Sequence, residues 1–309
     1  MSSPLPTLPP RPPDGHKGTF GTVCVVGGQA DPPQIMLGGP AFAALGALRA
    51  GAGLAVLAVP APLLAEALTV APSATGLALP VDQAGALAPS EVAALLDLYP
   101  GRFDCLAVGP GLGADEPQQQ IVLRLIGREE IPLVIDADAL NALAASRGFD
   151  RDLRASSILT PHPGEYRRLA EALAIEADPV RPDARPAAAE QLARRLGCVV
   201  VLKGAPTVVS DGINTSTNTT GNVALATGGS GDVLTGVIAA LVAQQVAGSS
   251  PQEPSLYDCA RLGVHLHGLA ADRWASAHGV AGMLATDLLE EIPDAMAALR
   301  AEEGMRDEG

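Results

Sequence analysis

The sequence predicts a single α/β domain: a largely parallel sheet covered by helices on both faces, with a helical layer at its C-terminal end. Three observations carry this expectation. Short β-branched runs recur without polar alternation, as strands buried on both faces require. Alanine- and leucine-rich stretches of helical length separate several of them. No shift of composition marks a boundary along the 309 residues. The runs "TVCVVGG", "LAVLAVP", "DCLAVGPG", "PLVIDAD", "SSILTPH" and "CVVVLKG" read in order as strands, with helices expected over 40–50, 89–98, 115–127 and 184–196. After Lys203, "TVVSDG" and "INTSTNTTGN" suggest a short hairpin, and long helices follow at about 229–246, 255–275 and 282–299. The proline-rich stretch 1–14 reads as a disordered arm, the domain proper as 15–299, and 300–309 as a frayed acidic tail. Removing the arm is then expected to leave stability unchanged, because it contains few apolar residues.

Composition narrows the possible partners. A hydrophobic fraction of 48% with only 3% aromatics implies an aliphatic core. The net charge of −14 argues against nucleic acid or an anionic membrane as partner, while leaving room for a nucleotide in a locally positive pocket. Cys24, Cys105, Cys198 and Cys259 are widely spaced in apolar surroundings. Buried reduced thiols and a cytoplasmic location are expected. The segment 1–14 has no apolar core of the signal-peptide kind, and Val233–Ala243 is too short to cross a bilayer.

In such a sheet, ligands gather at the carboxyl ends of the strands. Gly27-Gly28, Gly109-Pro110-Gly111, Asp136 and Asp138, Pro161-His162-Pro163, and Lys203-Gly204 all follow strands. "GPGLGA" at 109–114 formally fits a dinucleotide fingerprint, but "DEPQQQ" follows and its two carboxylates would repel a pyrophosphate. No Walker motif is present. His265 and His267, two apart on a helix, point to different faces and read as packing or surface residues. Glu165, at a helix start behind His162, fits either a helix cap or a hydrated Mg²⁺. Lysine is used only at Lys17 and Lys203, both beside glycine. A strand-end lysine such as Lys203 suits a phosphate. In "ATGGSGDVLTG" (226–236), glycines crowd the start of an apolar helix. Close helix packing would explain them; so would an anion site made of bare backbone N–H groups.

Taken in order, "HKGTFGTVCVVGG", "ALRAGAGL", "DADALN", "LTPHPGE", "VLKGAPTVV" and "NTTGNVALATGGSGDVLTG" resemble the ADP- or ATP-dependent NAD(P)H-hydrate dehydratases of the ribokinase-like superfamily, over roughly residues 15–297. The resemblance implies a ribokinase-like three-layer α/β/α sandwich with a mostly parallel central sheet and no lid domain. It implies ADP or ATP as co-substrate, Mg²⁺ as cofactor, and the S-epimer of NADHX or NADPHX as substrate. Phosphorylation of the ring 6-hydroxyl would convert a poor leaving group into a good one. By position, Asp232 would be the general base and touch substrate. Gly228, Gly229, Ser230 and Gly231 would form the anion hole. Lys203, Gly204, Ala205, Pro206, Thr207 and Gly231 would bind the nucleotide. Gly39, Gly111, Gly113 and His162 would contact the hydrated dinucleotide, and Glu165 would help organise Mg²⁺, with His162 standing where the superfamily has Asn.

Two departures accompany the likeness. Gly38-Gly39 replaces the usual Gly-Ala, which should loosen the substrate wall slightly, and "ADPPQIMLGG" lacks the usual Tyr-Pro pair. The family further implies a homotetramer working beside an NAD(P)HX epimerase. The competing readings are a ribokinase-like kinase of a small vitamin precursor, of the hydroxymethylpyrimidine or hydroxyethylthiazole type, and a non-catalytic nucleotide sensor.

Overall fold

A computed structural model describes residues 4–98, 101–248 and 255–307. The first half of the chain alternates strand and helix: β1 (Thr22–Val26), α1 (Gly38–Arg49), β2 (Leu54–Pro60), α2 (Leu64–Val70), β3 (Thr75–Leu79), α3 (Pro89–Asp97) and β4 (Cys105–Val108). Next come α4 (Glu116–Ile126), β5 (Leu133–Ile135), α5 (Asp138–Ala145), α6 (Phe149–Asp152), β6 (Ser157–Leu159) and α7 (Pro163–Ala172). The remainder comprises α8 (Arg185–Leu196), β7 (Val199–Leu202), β8 (Val208–Ser210), β9 (Thr215–Thr217), α9 (Ser230–Ala247), α10 (Leu256–His278) and α11 (Ala285–Asp307). The helices and strands expected from the sequence are all present. β3 was not foreseen, for a physical reason: it is an edge strand, "TGLAL", largely exposed until Leu79, and it carries none of the Val and Ile residues that mark the central strands.

The nine strands form one sheet in the order β3-β2-β1-β4-β5-β6-β7-β8-β9. Pairing is parallel from β3 through β7, and antiparallel for β7–β8 and β8–β9. Both faces of the sheet are buried, so alternate residues of one strand serve different cores. Val23 and Val25 join the core beneath α1, α9, α10 and α11, while Cys24 and Val26 join the one beneath α3, α4, α5, α7 and α8. The three-layer α/β/α sandwich is thereby established. All four cysteines are free and buried, and burial raises their thiols, Cys24 to about 12.

Chain direction reverses across the sheet at β1, which has β2 on one side and β4 on the other. Above this point α1 and α9 cross in close contact. A Cβ at Gly46 would lie 2.8 Å from Val233 O, and one at Gly236 would lie 2.0 Å from Ala43 O. Only glycine lets these backbones approach so far. α9 is long and apolar enough by composition to cross a membrane, but 72% of it is buried inside the fold, as in a core helix.

The termini depart from expectation. Residues 1–3 and 308–309 lie outside the described residues, but 4–14 form an ordered strap rather than a disordered arm. Leu8 is 4% exposed, and its N–H donates to Glu303 Oε1 at 2.8 Å. Arg300 donates to Pro9 O at 2.7 Å and Arg261 to Pro4 O at 2.9 Å. The Arg11 guanidinium lies 4.0 Å above the Phe20 ring and bonds Gly51 O. The tail is helical through Asp307 because Glu303 and Arg300 hold the strap. A few well-placed contacts outweigh a polar, proline-rich composition. Removing residues 1–14 should therefore lower Tm by roughly 3–6 °C, since burying one leucine is worth about 1.5–3 kcal/mol. An unchanged melting curve would show that the strap contributes nothing.

Candidate active site

The loops after β1 and β4 meet at the point where strand order reverses, the usual ligand crevice of a parallel sheet. Gly28 N–H donates to Pro110 O at 3.1 Å, and a Cβ at Gly27 would stand 2.3 Å from that oxygen. Gly111 and Gly113 have φ of 61° and 80°. The Gly113 N–H is already engaged, donating to Asp138 Oδ2 at 2.9 Å. Gly39, at the start of α1, faces the same spot. A Cβ there would be 3.2 Å from Asp232 Oδ1 and 3.3 Å from Gly111 N. The fold thus brings Gly39, Gly111 and Asp232 together. It also revises the expectation that Gly39 loosens this wall: the backbone of 110–111 stands close enough that a methyl would press on it.

The glycines of 226–236 divide between the two explanations. Gly229 caps α9 with φ 89°, and a Cβ on it would collide with Ala285 and Phe42 at 2.8–2.9 Å. Gly229 is therefore needed for packing. A Cβ on Gly228 would meet nothing within 4 Å, and one on Gly231 would meet only Lys203 Nζ, at 3.5 Å. Those two leave the helix N-terminus open, with its first N–H groups unpaired within the helix. Ser230 Oγ turns away, donating to Leu225 O at 2.8 Å and Thr227 O at 3.0 Å.

A cavity of about 580 Å³ opens on the other side of Gly231 and is lined by the whole segment Lys203–Thr207, with Ser230 and His267. Arg185, 2% exposed, shapes that segment from behind. Its guanidinium donates to Pro206 O at 2.9 Å, Leu202 O at 2.7 Å and Lys203 O at 2.9 Å. His267 is a buried packing residue that also borders this cavity: its Nε2 lies 2.8 Å from Ser230 O, and burial pushes it down to about 4, so it is neutral.

Lys203 is held at the floor of this cavity. Its Nζ donates to Asp136 Oδ1 at 2.6 Å and lies 3.9 Å from Glu165 Oε2. The second Asp136 oxygen accepts from Thr235 Oγ1 at 2.7 Å. Burial alone would raise Asp136, but the Lys203 charge and the hydrogen bonds from Lys203 and Thr235 hold it below the ordinary carboxylate range. Glu165 and His162 form a reciprocal cap on α7: Glu165 Oε2 accepts from His162 N at 2.7 Å, and His162 Nδ1 accepts from Gly164 N at 2.9 Å. Glu165 Oε1 stands 3.3 Å from His162 Nε2. One oxygen of Glu165 is thus committed to the cap, while the other lies beside the imidazole. Among the described residues no group of three metal-ligating side chains exists.

Two carboxyls titrate near neutrality. Burial, then Asp136 and Asp138, push Asp232 up to about 7 against the pull of Lys203. Burial, then Asp136, push Glu165 to about 7, again against Lys203. A half-buried carboxylate of this kind beside an open helix N-terminus can take a proton while the helix holds an anion. Sequence reasoning gave no role to four contributors: Asp136, Thr235, His267 and Arg185. Asp136 was visible as a strand-end carboxylate. His267 and Arg185 carried no local signal, since each falls in a helical pattern that fits a surface face equally well.

Asp232 supplies a test that does not depend on activity. Its carboxyl is raised in the fold from an ordinary 3.8 to about 7, so the associated stability is present at low pH and lost as pH rises through 7. Asp232→Asn should therefore raise Tm more at pH 8 than at pH 5. An equal change at both values would contradict the perturbed ionisation.

Comparison with known proteins agrees with this geometry. The sequence profile of the NAD(P)H-hydrate dehydratase family matches residues 23–294. The bifunctional NAD(P)H-hydrate repair enzyme of Moorella thermoacetica is 39% identical over 297 residues, covering 96% of this chain and 53% of the relative. The Vibrio cholerae enzyme is 40% identical over 288 residues, covering 92% and 51%. The chain therefore spans about half the length of these relatives. The ADP/ATP-dependent NAD(P)H-hydrate dehydratase of Bacillus subtilis, co-crystallised with ATP and Mg²⁺, superposes with a TM-score of 0.74 at 31% identity over 95% of both chains. Hydroxyethylthiazole kinase of Pyrococcus horikoshii, 14% identical with a TM-score of 0.56, shares the fold alone. With the profile matched from the first strand into the last helix, the chain belongs to the NAD(P)H-hydrate dehydratase family.

Proposed function

We propose that this chain uses ADP or ATP to dehydrate the S-epimer of NADHX or NADPHX, returning NADH or NADPH. The observation that carries the reading is the position of Asp232. It stands at the open N-terminus of α9, between the cavity lined by Lys203–Thr207 and the wall formed by Gly39 and Gly111. A nucleotide in the cavity would direct its terminal phosphoryl group across Gly231 toward a hydroxyl on the other side.

The steps follow from this arrangement. Asp232 accepts the proton of the ring 6-hydroxyl as its oxygen attacks phosphorus, and AMP or ADP leaves. N–H groups of Gly228, Gly229, Ser230 and Gly231 stabilise charge on the group in transfer. The nitrogen lone pair then expels phosphate from ring carbon 6, and loss of the neighbouring carbon-5 proton restores the double bond. Gly204, Ala205, Pro206 and Thr207 hold the nucleotide in the shape that Arg185 imposes. Gly111, Gly113 and His162 border the dinucleotide. Mg²⁺ bound with the nucleotide would supply charge neutralisation to its phosphates, and Glu165 would help to hold it. The reading extends to a cytoplasmic homotetramer supplied with the S-epimer by an NAD(P)HX epimerase. The bifunctional character of relatives about twice as long supports that partner.

Asp232→Asn should keep the fold and both ligands yet lose on the order of 10²–10⁴ in kcat, the range for a general base. Turnover like the wild type in this variant would remove Asp232 from the chemistry. With the wild type, chemically prepared hydrate, nucleotide and Mg²⁺ should release reduced nicotinamide and inorganic phosphate one for one. A long-lived phosphorylated product would point to a vitamin-precursor kinase, and absence of any turnover to a nucleotide sensor. The base must be ionised, and its carboxyl is raised to about 7. kcat/KM should accordingly fall as pH drops through that value, and a profile flat from pH 5 to 8 would contradict the assignment.

A further inference from the structure

Lys203 is the cation beneath the helix N-terminus, yet its charge is compensated before any ligand arrives. Asp136 accepts from it at 2.6 Å, Glu165 lies at 3.9 Å, and its side chain is only 19% exposed. A lysine held back in this way adds little net attraction for a nucleotide as a whole. Its Nζ is nevertheless within 3.5 Å of where a methyl on Gly231 would stand, next to the open N–H groups of α9. The residue that fixes it is Asp136, a carboxylate 1% exposed, and Thr235, with Thr160 as a further partner, fixes Asp136. Thr235 is fully buried in an otherwise apolar stretch of α9, one turn beyond Asp232. Its hydroxyl donates to the carboxylate at 2.7 Å, across 99 residues of sequence. A hydroxyl so placed orients the carboxylate, and the carboxylate aims the ammonium.

We propose that Asp136 and Thr235 are positioning residues: they lock the Lys203 ammonium against the start of α9, where it acts on the phosphoryl group in transfer and not on nucleotide affinity. The inference rests on the dehydratase reading. It also replaces the expectation that Lys203 serves mainly to bind nucleotide.

The test is Thr235→Val, which keeps the side-chain shape and removes the hydroxyl, beside Thr235→Ser, which keeps the hydroxyl. kcat and KM are measured for nucleotide and hydrate. Thr235→Val should lower kcat about tenfold or more, as loss of a hydrogen bond to a buried charge does, with both KM values within about twofold of wild type. Thr235→Ser should stay near wild type. Asp136→Asn, which keeps the shape but removes the charge opposite Lys203, should show the same split and decides the matter if Thr235→Val does not fold. Wild-type kcat in Thr235→Val, a loss confined to nucleotide KM, or equal impairment in Thr235→Ser would each overturn the proposal. If the wild type turns over the hydrate and Thr235→Val matches it, the positioning role alone fails. If the wild type leaves the hydrate unconverted, the dehydratase reading fails instead.

Discussion

The close crossing of α1 and α9 is the constraint on which the candidate site depends. Gly46 and Gly236 remove side chains where each backbone meets the other helix, with hypothetical Cβ contacts of 2.8 and 2.0 Å. Wider separation would keep both helices on the sheet but would draw Gly39 away from Asp232. As it stands, two helix N-termini face one crevice, at the place where strand order reverses. The fold therefore creates the site by packing, before any specialised side chain is considered.

The second determinant is electrostatic. One ammonium, Lys203, serves a buried carboxylate it neutralises outright and two partly served ones that it cannot fully neutralise. Asp136 takes the direct hydrogen bond and stays ionised. Glu165 and Asp232 feel both burial and the Asp136 charge and are left near 7. The imbalance makes Asp232 a competent proton acceptor at neutral pH, since a base whose pKa matches the working pH combines availability with driving force. It also costs stability, because a carboxylate is being ionised where water is scarce.

The site has two sides with separate supports. The cavity lined by 203–207 is shaped by Arg185, whose donors satisfy the carbonyls of Leu202, Lys203 and Pro206. The wall beside Gly39 and Gly111 is shaped by glycine loops pressed together across β1 and β4, with Asp138 holding the amide of Gly113. Asp232 and Gly231 are the junction. Changes on one side can alter one ligand's fit without disturbing the other.

The alternation of strands and helices was legible because burial on both faces writes an uninterrupted apolar run into each central strand. The glycine-rich start of α9 and its aspartate were legible because backbone freedom at a helix N-terminus restricts residue choice locally. β3 was not, since an edge strand half open to solvent has no Val or Ile to mark it. Nor was the strap at 4–14, whose order comes from Glu303, Arg300 and Arg261, far along the chain. The same limit hid the network behind Asp232. Lys203 and Asp136 are 67 residues apart and Thr235 and Asp136 are 99 apart, so nothing local to any of them announces its partner. Sequence by itself determined the layers, the strand ends and the chemical character of the 226–236 segment, all of which follow from periodicity and backbone demands within a few residues. Tertiary structure decided which charges meet, which histidine is buried, and which glycines serve packing and which leave the start of α9 open, because those depend on distances that only the folded chain sets.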